Sequence, residues 1–324
     1  MIALVRLCAT ALAAGLAPVA AADSADGGLC PENPSRLQRA MCADPELKET
    51  RDRMNARMAA VKRALSDRGA AQLAAGQQAW LTRTHRLCDE RTDSSQPDLD
   101  ERSRSCLALR YDLRSGELAH FIPKIGPYQF LYVTRFEDRG SVSADIGYLQ
   151  IDSPLTAATE RWNEQMAGWS LDACGAKVED AEIDLSIDLS VTFAEPRFIS
   201  ATCAAEWRPK LLFHGGASDV KHSNRWLLSE RELEAADLFD PATDWKGALQ
   251  RAALRHLVED ESDVDWAEVV AKQAGDPAYW SILRQGLLIQ FDYGNTYSFA
   301  TAEIPWSDLR PYLVSPLPLA LRLD

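Results

Sequence analysis

The 324-residue sequence lacks the short motifs by which many enzymes of known mechanism are recognised. It contains no Gly-x-Ser-x-Gly nucleophile turn, no His-Glu-x-x-His zinc motif, no Gly-x-x-x-x-Gly-Lys phosphate loop and no Gly-x-Gly-x-x-Gly dinucleotide turn. We therefore predict that the protein is not an enzyme and binds no cofactor. A carboxylate-based glycosidase stays open as an alternative, because the separation of two carboxylates in space cannot be read from a sequence.

Metal-ligand spacings are also missing. There is no Cys-x-x-Cys, which argues against zinc. His214, Asp219 and His222 would meet around a metal only if the glycine turn between them folds back, and we favour structural histidines. The acidic run at 259–265 lacks the central glycine of a calcium loop, so we interpret it as a solvated turn that leads into the N-cap of a helix at Trp266.

Beyond the first 22 residues, no apolar stretch is long enough to span a bilayer. Residues 1–22 carry Arg6, an apolar run broken by Gly15 and Pro18, and a small-residue end at Ala20-Ala21-Ala22, which is the pattern of a secretory signal. We predict cleavage after Ala22 and a periplasmic or secreted protein with no membrane span after signal cleavage.

Signal cleavage removes Cys8 and leaves six of the seven cysteines. An even number of cysteines in an exported chain predicts disulfide bonds, and six cysteines allow fifteen pairings. The remaining cysteines are Cys30, Cys42, Cys88, Cys106, Cys174 and Cys203.

Two helical stripes face each other across a polar, turn-rich segment at 91–98. This pattern predicts an antiparallel helical hairpin that a Cys88–Cys106 bridge would close at its base. Trp80 shares a stripe with Leu73 and Leu87, so we expect it in the core rather than in a ligand site. The first stripe contains Leu73, Gln77, Trp80, Thr84, Leu87 and Cys88, and the second contains Leu99, Cys106, Leu109 and Leu113.

Residues 30 to about 120 resemble the N-terminal domain of the LprI-like lysozyme inhibitors. One position pair differs from the family pattern, since Thr84-His85 stands where an Arg-Asp pair is common. Locality together with this resemblance favours the pairs Cys30–Cys42, Cys88–Cys106 and Cys174–Cys203, and the resemblance implies lysozyme as a partner. The residues that carry it are Cys30, Cys42, Gln77, Trp80, Cys88, Cys106, Leu107, Tyr111, Arg114 and Leu118.

The pattern changes from helical to alternating after residue 120. Apolar residues alternate with others from Tyr128 to Phe136, and apolar residues alternate with Asp and Ser from Ile183 to Phe193. The predicted fold class is α+β, with an N-terminal disulfide-linked helical domain followed by an α+β domain with a mainly antiparallel sheet. The predicted divisions are a signal peptide at 1–22, a helical domain at 23–120, a linker at 121–127 and an α+β domain at 128–324.

Negative charge is concentrated in the second half. Residues 23–120 are balanced, with 16 Lys and Arg against 16 Asp and Glu, whereas residues 121–324 hold 18 against 32. Such a surface repels nucleic acid and anionic lipid and speeds association with a cationic protein. Ordinary solubility is the alternative explanation of the charge.

Residues 128 to about 315 resemble the C-terminal domain of the anti-sigma factor RsiV, and a related domain accompanies peptidoglycan deacetylases of the PdaC type. This resemblance also implies lysozyme binding. Ser218 differs from the His that usually follows the glycine motif, and the Asp-Asp and His-x-x-x-His motifs of the deacetylases themselves are missing. The segments that carry the resemblance are 213–217, 236–239, 286–291 and 304–309.

These observations predict an exported lysozyme inhibitor that blocks the lysozyme cleft sterically and electrostatically. Its partner would be lysozyme or another cationic envelope protein. The alternative is a peptidoglycan-related enzyme accessory, or an enzyme of unrecognised mechanism, in the cell envelope. Glycines that permit protruding turns and tyrosines that supply rigid contact area give the candidate contact residues, although both are also common structural features. The candidates are His214, Gly215, Gly216, Ser218, Asp219, Tyr293 and Tyr297.

Overall fold

The computed structural model of the protein describes residues 36–89, 98–139, 142–172, 183–209, 217–258, 264–293 and 300–319. Within these ranges no helix is long and apolar enough to cross a membrane. The predicted signal peptide, Cys30 and Cys174 lie outside the described residues. The buried residues form two cores, one shared by the N-terminal helices and a six-stranded sheet and one in the C-terminal part.

Among the described residues, four helices precede the first strand. Asp44 caps the second of them, because its side chain accepts hydrogen bonds from the backbone N–H groups of Glu46 and Leu47 and Pro45 occupies the first helical position. Asp100 caps the fourth in the same way through the N–H of Ser103. The helices are α1 Arg36–Ala43, α2 Pro45–Ala64, α3 Asp67–Asp89 and α4 Glu101–Leu118.

The predicted hairpin of α3 and α4 is confirmed. Cys88 and Cys106 form a disulfide with their Cα atoms 5.7 Å apart. Beyond the disulfide, Trp80 contacts Tyr111 and Gln77 contacts Arg114. Residue numbers along these contacts decrease on α3 and increase on α4, so the two helices are antiparallel. Cys42 and Cys203 are also disulfide-bonded, and their predicted partners Cys30 and Cys174 lie outside the described residues.

The stripe predicted for α4 is wrong at two of its four positions, whereas Leu99 is buried and Cys106 packs against the core. Leu109 and Leu113 are 60% and 56% exposed, and the first helix of the hairpin likewise leaves Leu87 only partly buried. The physical reason is that polar side chains with partners inside the fold occupy the inner face of α4, which displaces the two leucines to the solvent side. The buried residues of α4 are Ser103, Leu107, Tyr111, Arg114, Ser115 and Leu118.

The helices pack against a six-stranded sheet whose strands follow one another in chain order. All neighbours are antiparallel except β3 and β4, which are parallel and joined by the crossover helix α5 Ala157–Leu171. Phe121 is buried in the first core and the predicted linker contributes strand β1, so the helices and the sheet share one core. The strands are β1 Lys124–Ile125, β2 Tyr128–Arg139, β3 Val142–Ser153, β4 Ile183–Glu195, β5 Phe198–Pro209 and β6 Ala217–Trp226.

Strand β4 shows the predicted alternation. Ile183, Leu185, Ile187 and Leu189 are buried, while the Asp and Ser residues between them are exposed. These polar residues share one face of the sheet because side chains alternate along a strand. Their exposure shows that α3 and α4 cover this face only in part.

A smaller antiparallel sheet with the strand order β7-β10-β9-β8 completes the C-terminal part. Trp280 and Trp306 are fully buried in its core, and their indole N–H groups donate to the carbonyls of Ala274 and Leu283. The predicted fold class, α+β with a mainly antiparallel sheet, is confirmed. The elements are α6 Trp245–His256, β7 Leu257–Val258, α7 Trp266–Gln273, β8 Trp280–Ile282, β9 Gly286–Phe291, β10 Ala300–Pro305 and α8 Trp306–Leu309.

Candidate functional site

A cleft of about 540 Å³ opens between helices α3 and α4 and the face of the sheet formed by β2, β3 and β4. This volume is in the range of sites that bind small ligands, about 300–1,000 Å³. Directly opposed residues on neighbouring strands share a face of the sheet, so the strand register defines the floor of the cleft. The floor has two rows, Thr134, Gly147 and Asp188 in one and Phe136, Asp145 and Ser186 in the other.

Tyr132 reaches across β3 to Asp188 on β4, and its hydroxyl donates a hydrogen bond of 2.6 Å to the carboxylate. The path passes over Gly147, where a Cβ would overlap the Tyr132 hydroxyl. Glycine is therefore required at this position by the close approach of another side chain. Burial raises the pKa of Tyr132, and the nearby Asp188 carboxylate raises it further, so the phenol keeps its proton and remains a donor.

Arg114 forms the inner end of the cleft and is 1% exposed. Its Nε donates to Gln77 Oε1 at 3.1 Å, its Nη1 to Glu117 Oε2 at 3.0 Å and its Nη2 to Thr134 Oγ1 at 3.2 Å. Burial lowers the pKa of Arg114, and the hydrogen bond and charge of Glu117 oppose this shift. Since Thr134 belongs to β2, this one guanidinium joins both helices of the hairpin to the sheet.

Aromatic rings enclose the same guanidinium. The Arg114 Cζ lies 4.5 Å from the ring centre of Phe121 and 5.6 Å from that of Trp80. Trp80 in turn makes an edge contact with Tyr111, with ring centres 5.4 Å apart. The Tyr111 hydroxyl is hydrogen-bonded to His85 Nε2 at 2.9 Å, so the histidine that departs from the family pattern still makes a contact inside the hairpin.

The arginines Arg83 and Arg110 both line the cleft and differ in their pairing. Arg83 forms an ion pair with Asp145 at 2.6 Å, and its guanidinium lies 5.4 Å from the ring centre of Phe136. Arg110 also lines the cleft and is partly exposed, and it has no ion-pair partner in the described part of the chain. The cleft that contains the Asp188 carboxylate therefore also offers one arginine without an ion-pair partner in the described residues.

The candidate contact residues predicted from the sequence lie elsewhere. Ser218 and Asp219 are partly buried at the start of β6, where Asp219 pairs with Lys221 at 3.0 Å. Tyr293 follows β9 in the other sheet, and its ring packs edge-on against Trp266 at 5.0 Å. Their role as partner contacts stays a prediction. His214, Gly215, Gly216 and Tyr297 lie outside the described residues.

His222 has structural partners rather than metal ligands around it. Its Nδ1 lies 2.9 Å from Ser281 Oγ, which is hydrogen-bonded to Thr202 at 2.8 Å. Asp219 lies three residues away on the same strand and hence on the opposite face. The described residues contain no group of three or more His, Cys, Asp or Glu side chains placed to hold a metal ion.

Burial, together with a smaller contribution from the positive charge of Lys221, lowers the pKa of His222 to about 4. The unfolded chain, with the ordinary histidine pKa near 6.5, then binds a proton before the folded chain does, so stability falls as the pH falls from about 6.5 to 4. The loss approaches about 3 kcal/mol at the lower end. Urea unfolding across this pH range should show that the free energy of unfolding depends less steeply on pH in His222→Gln than in the wild type. An unchanged slope in His222→Gln would contradict the assignment.

Two separate features of the sequence relate to the cleft. The alternation of Asp and Ser along β4 indicated a polar face, and Tyr111 and Arg114 belonged to the family pattern without an assigned position. Which helices lie over that face depends on the register and order of β2, β3 and β4, and no local pattern carries this information.

One comparison with known protein families bears on these helices. Residues 30–118 match the family model described as lysozyme inhibitor LprI. The matched stretch contains α1 to α4 complete, and the residues on the helical side of the cleft from Trp80 to Glu117 fall within it.

No curated protein matches the sequence. Two similar solved structures belong to the DUF3298 family. One, from Bacteroides fragilis NCTC 9343, is 12% identical, covers 60% of this chain and 96% of its own, and has a TM-score of 0.36. The other, from Pseudomonas aeruginosa PAO1, is 12% identical, covers 61% of this chain and 98% of its own, and has a TM-score of 0.35.

Proposed function

We propose that the protein is an exported lysozyme inhibitor. The observation that carries this proposal is the match of residues 30–118 to the LprI lysozyme-inhibitor family model. The structure of the matched region supports it, because positions of the family pattern contact one another in pairs. Arg114 donates a hydrogen bond to Gln77, Trp80 packs against Tyr111, and Cys88 forms a disulfide with Cys106.

Export is proposed from the signal-like residues 1–22 and supported by the disulfide chemistry. Cys88 and Cys106 form a disulfide with each other. Cys42 and Cys203 each take part in a disulfide whose other cysteine lies outside the described residues. Disulfides persist in oxidising compartments, which in bacteria means the periplasm or the exterior. We therefore propose that the mature protein, from Asp23 onward, functions outside the cytoplasm.

The proposed mode of inhibition is steric and electrostatic blocking by the acidic second half. Residues 121–324 hold 18 Lys and Arg against 32 Asp and Glu, and lysozymes are typically basic. The proposed contacts are His214 to Asp219, which cover the end of the β5–β6 connection and the start of β6, and Tyr293 to Tyr297, between β9 and β10. The resemblance of residues 128–315 to the RsiV domain is a second, independent reason to propose lysozyme as the partner.

The test is to titrate the mature protein into a lysozyme lysis assay at low and at physiological salt. Inhibition should be weaker at the higher salt, because exposed charges separated by more than about 8 Å are screened there. Tyr293→Ala, Tyr297→Ala and Ser218→Arg should each weaken inhibition. Leu254→Ala is the matched control, since Leu254 is an exposed apolar residue on α6 outside the proposed contact segments, and it should inhibit like the wild type.

A folded protein that binds no lysozyme at micromolar concentration would refute the inhibitor proposal. The alternative, an accessory of peptidoglycan enzymes, would then come first. It predicts a change in the cell wall itself when the protein is incubated with purified wall in the absence of lysozyme, whereas an inhibitor leaves the wall unchanged. Capture of another cationic envelope protein in place of lysozyme would retain the electrostatic mechanism and change the partner.

A further inference from the structure

The cleft between the helices and the sheet has chemistry that lysozyme inhibition does not require. Most of its polar groups are already paired, Arg83 with Asp145 and Arg114 with Glu117. The groups left to contact a ligand include the Arg110 guanidinium, the exposed side chains of Ser186 and His120, and the Asp188 carboxylate, whose Oδ1 accepts from Tyr132.

The Asp188 carboxylate is held in place before any ligand arrives. Its hydrogen bond from Tyr132 depends on Gly147, because any Cβ there would overlap the Tyr132 hydroxyl. A carboxylate fixed in this way, with one oxygen not used by Tyr132, is an acceptor for hydroxyl donors. Ser186 lies two residues before it on the same face of β4 and supplies a second hydroxyl contact.

The rings beside these groups provide flat apolar surface. Tyr132 and Phe136 are both partly exposed and both line the cleft. A ligand with several hydroxyl groups and an apolar ring face would place the hydroxyls on Asp188 and Ser186 and the ring face on the aromatic side chains. This combination is the chemistry of a saccharide.

Arg110 adds a requirement for negative charge. Because Arg83 and Arg114 already have carboxylate partners, an incoming carboxylate can pair with Arg110 without competing for an existing ion pair. The guanidinium fork suits a carboxylate in bidentate geometry. We infer that the cleft is a binding site for a carboxylate-bearing saccharide, a class that includes the muramic-acid units of bacterial cell walls. This site does not depend on the proposed inhibition of lysozyme.

Isothermal titration of the mature protein with two disaccharides tests the inference. N-acetylglucosaminyl-N-acetylmuramic acid carries the carboxylate, and N,N′-diacetylchitobiose is its neutral counterpart. We expect the acidic disaccharide to bind at least about tenfold more tightly, as one charge-assisted contact allows. N-acetylalanine, a carboxylate without a sugar ring, should bind more weakly than either disaccharide.

Arg110→Ala should remove the preference for the acidic disaccharide, while Ser186→Ala should weaken both disaccharides by a similar factor. Arg102→Ala is the matched control, because Arg102 is an exposed arginine on the same helix outside the cleft. It should bind like the wild type. All three variants should inhibit lysozyme as the wild type does, which separates this site from the proposed inhibitor function.

Three results would overturn the inference. The first is no binding of either disaccharide at millimolar concentration, and the second is equal binding of both with no effect of Arg110→Ala. The third is an equal loss in Arg102→Ala and Arg110→Ala, which would show a response to net charge rather than to the cleft.

Discussion

Replacing Trp80 with Ala is expected to lower the free energy of unfolding by about 3–5 kcal/mol, the usual cost of removing a buried tryptophan. Trp80 is 7% exposed and packs edge-on against Tyr111, while the Arg114 guanidinium lies over its ring. The substitution leaves a cavity at the junction of α3, α4 and the sheet. Urea unfolding of the oxidised protein, followed by far-ultraviolet circular dichroism, measures the loss.

Leu109→Ala is the matched control on the facing helix. Leu109 is 60% exposed, so its truncation should change stability by no more than about 0.5 kcal/mol. A loss as large as that of Trp80→Ala would mean that the leucine stripe predicted from the sequence faces the core after all. Unchanged unfolding of Trp80→Ala together with lost lysozyme binding would show that Trp80 is a partner contact rather than a core residue.

Local chemistry was enough to predict several elements. The start of α2 at Asp44-Pro45 can be predicted from the sequence because the capping side chain hydrogen-bonds to backbone N–H groups in the first helical turn and proline favours the first helical position. The Cys88–Cys106 bridge followed from two short stripes and one turn-rich connection. The exposed and buried residues of β4 alternate as predicted because a half-buried strand repeats every two residues.

The inner face of α4 could not be predicted in the same way. Apolar spacing favoured Leu109 and Leu113, yet the helix buries Tyr111 and Arg114 instead. A buried arginine is stable only with partners, and apart from Glu117 on the same helix those of Arg114 are 37 residues away at Gln77 and 20 residues away at Thr134. A pattern that examines one helix at a time assigns such residues to the solvent.

The cleft was unpredictable for a related reason. Its floor combines three strands, and the parallel pairing of β3 with β4 through α5 sets Gly147 opposite Asp188. The importance of Gly147 appears only when Tyr132 is seen to cross above it. Each of these residues looks ordinary in the sequence, and the site arises from their register.

Replacing Arg114 with Ala is expected to cost about 3–5 kcal/mol of folding stability. The change removes a long buried side chain, and it leaves the buried Gln77 carbonyl oxygen without its guanidinium donor. It also removes the polar contact from α4 to Thr134 on β2. Arg114→Lys should recover only part of the loss, because an ammonium group cannot reproduce the three directed contacts of the guanidinium.

Glu117→Gln separates packing and hydrogen bonding from the ion pair. Glu117 is 54% exposed, so water solvates its carboxylate and its pairing with Arg114 should be worth less than about 1 kcal/mol. Urea unfolding of both variants measures the difference. A small effect of Arg114→Ala, or an equal effect of Glu117→Gln, would contradict the role assigned to the guanidinium. If only Arg114→Ala has the larger effect, the contacts of Arg114 with Gln77 and Thr134 attach the helical hairpin to the sheet. The side of the cleft that the hairpin forms then also depends on Arg114.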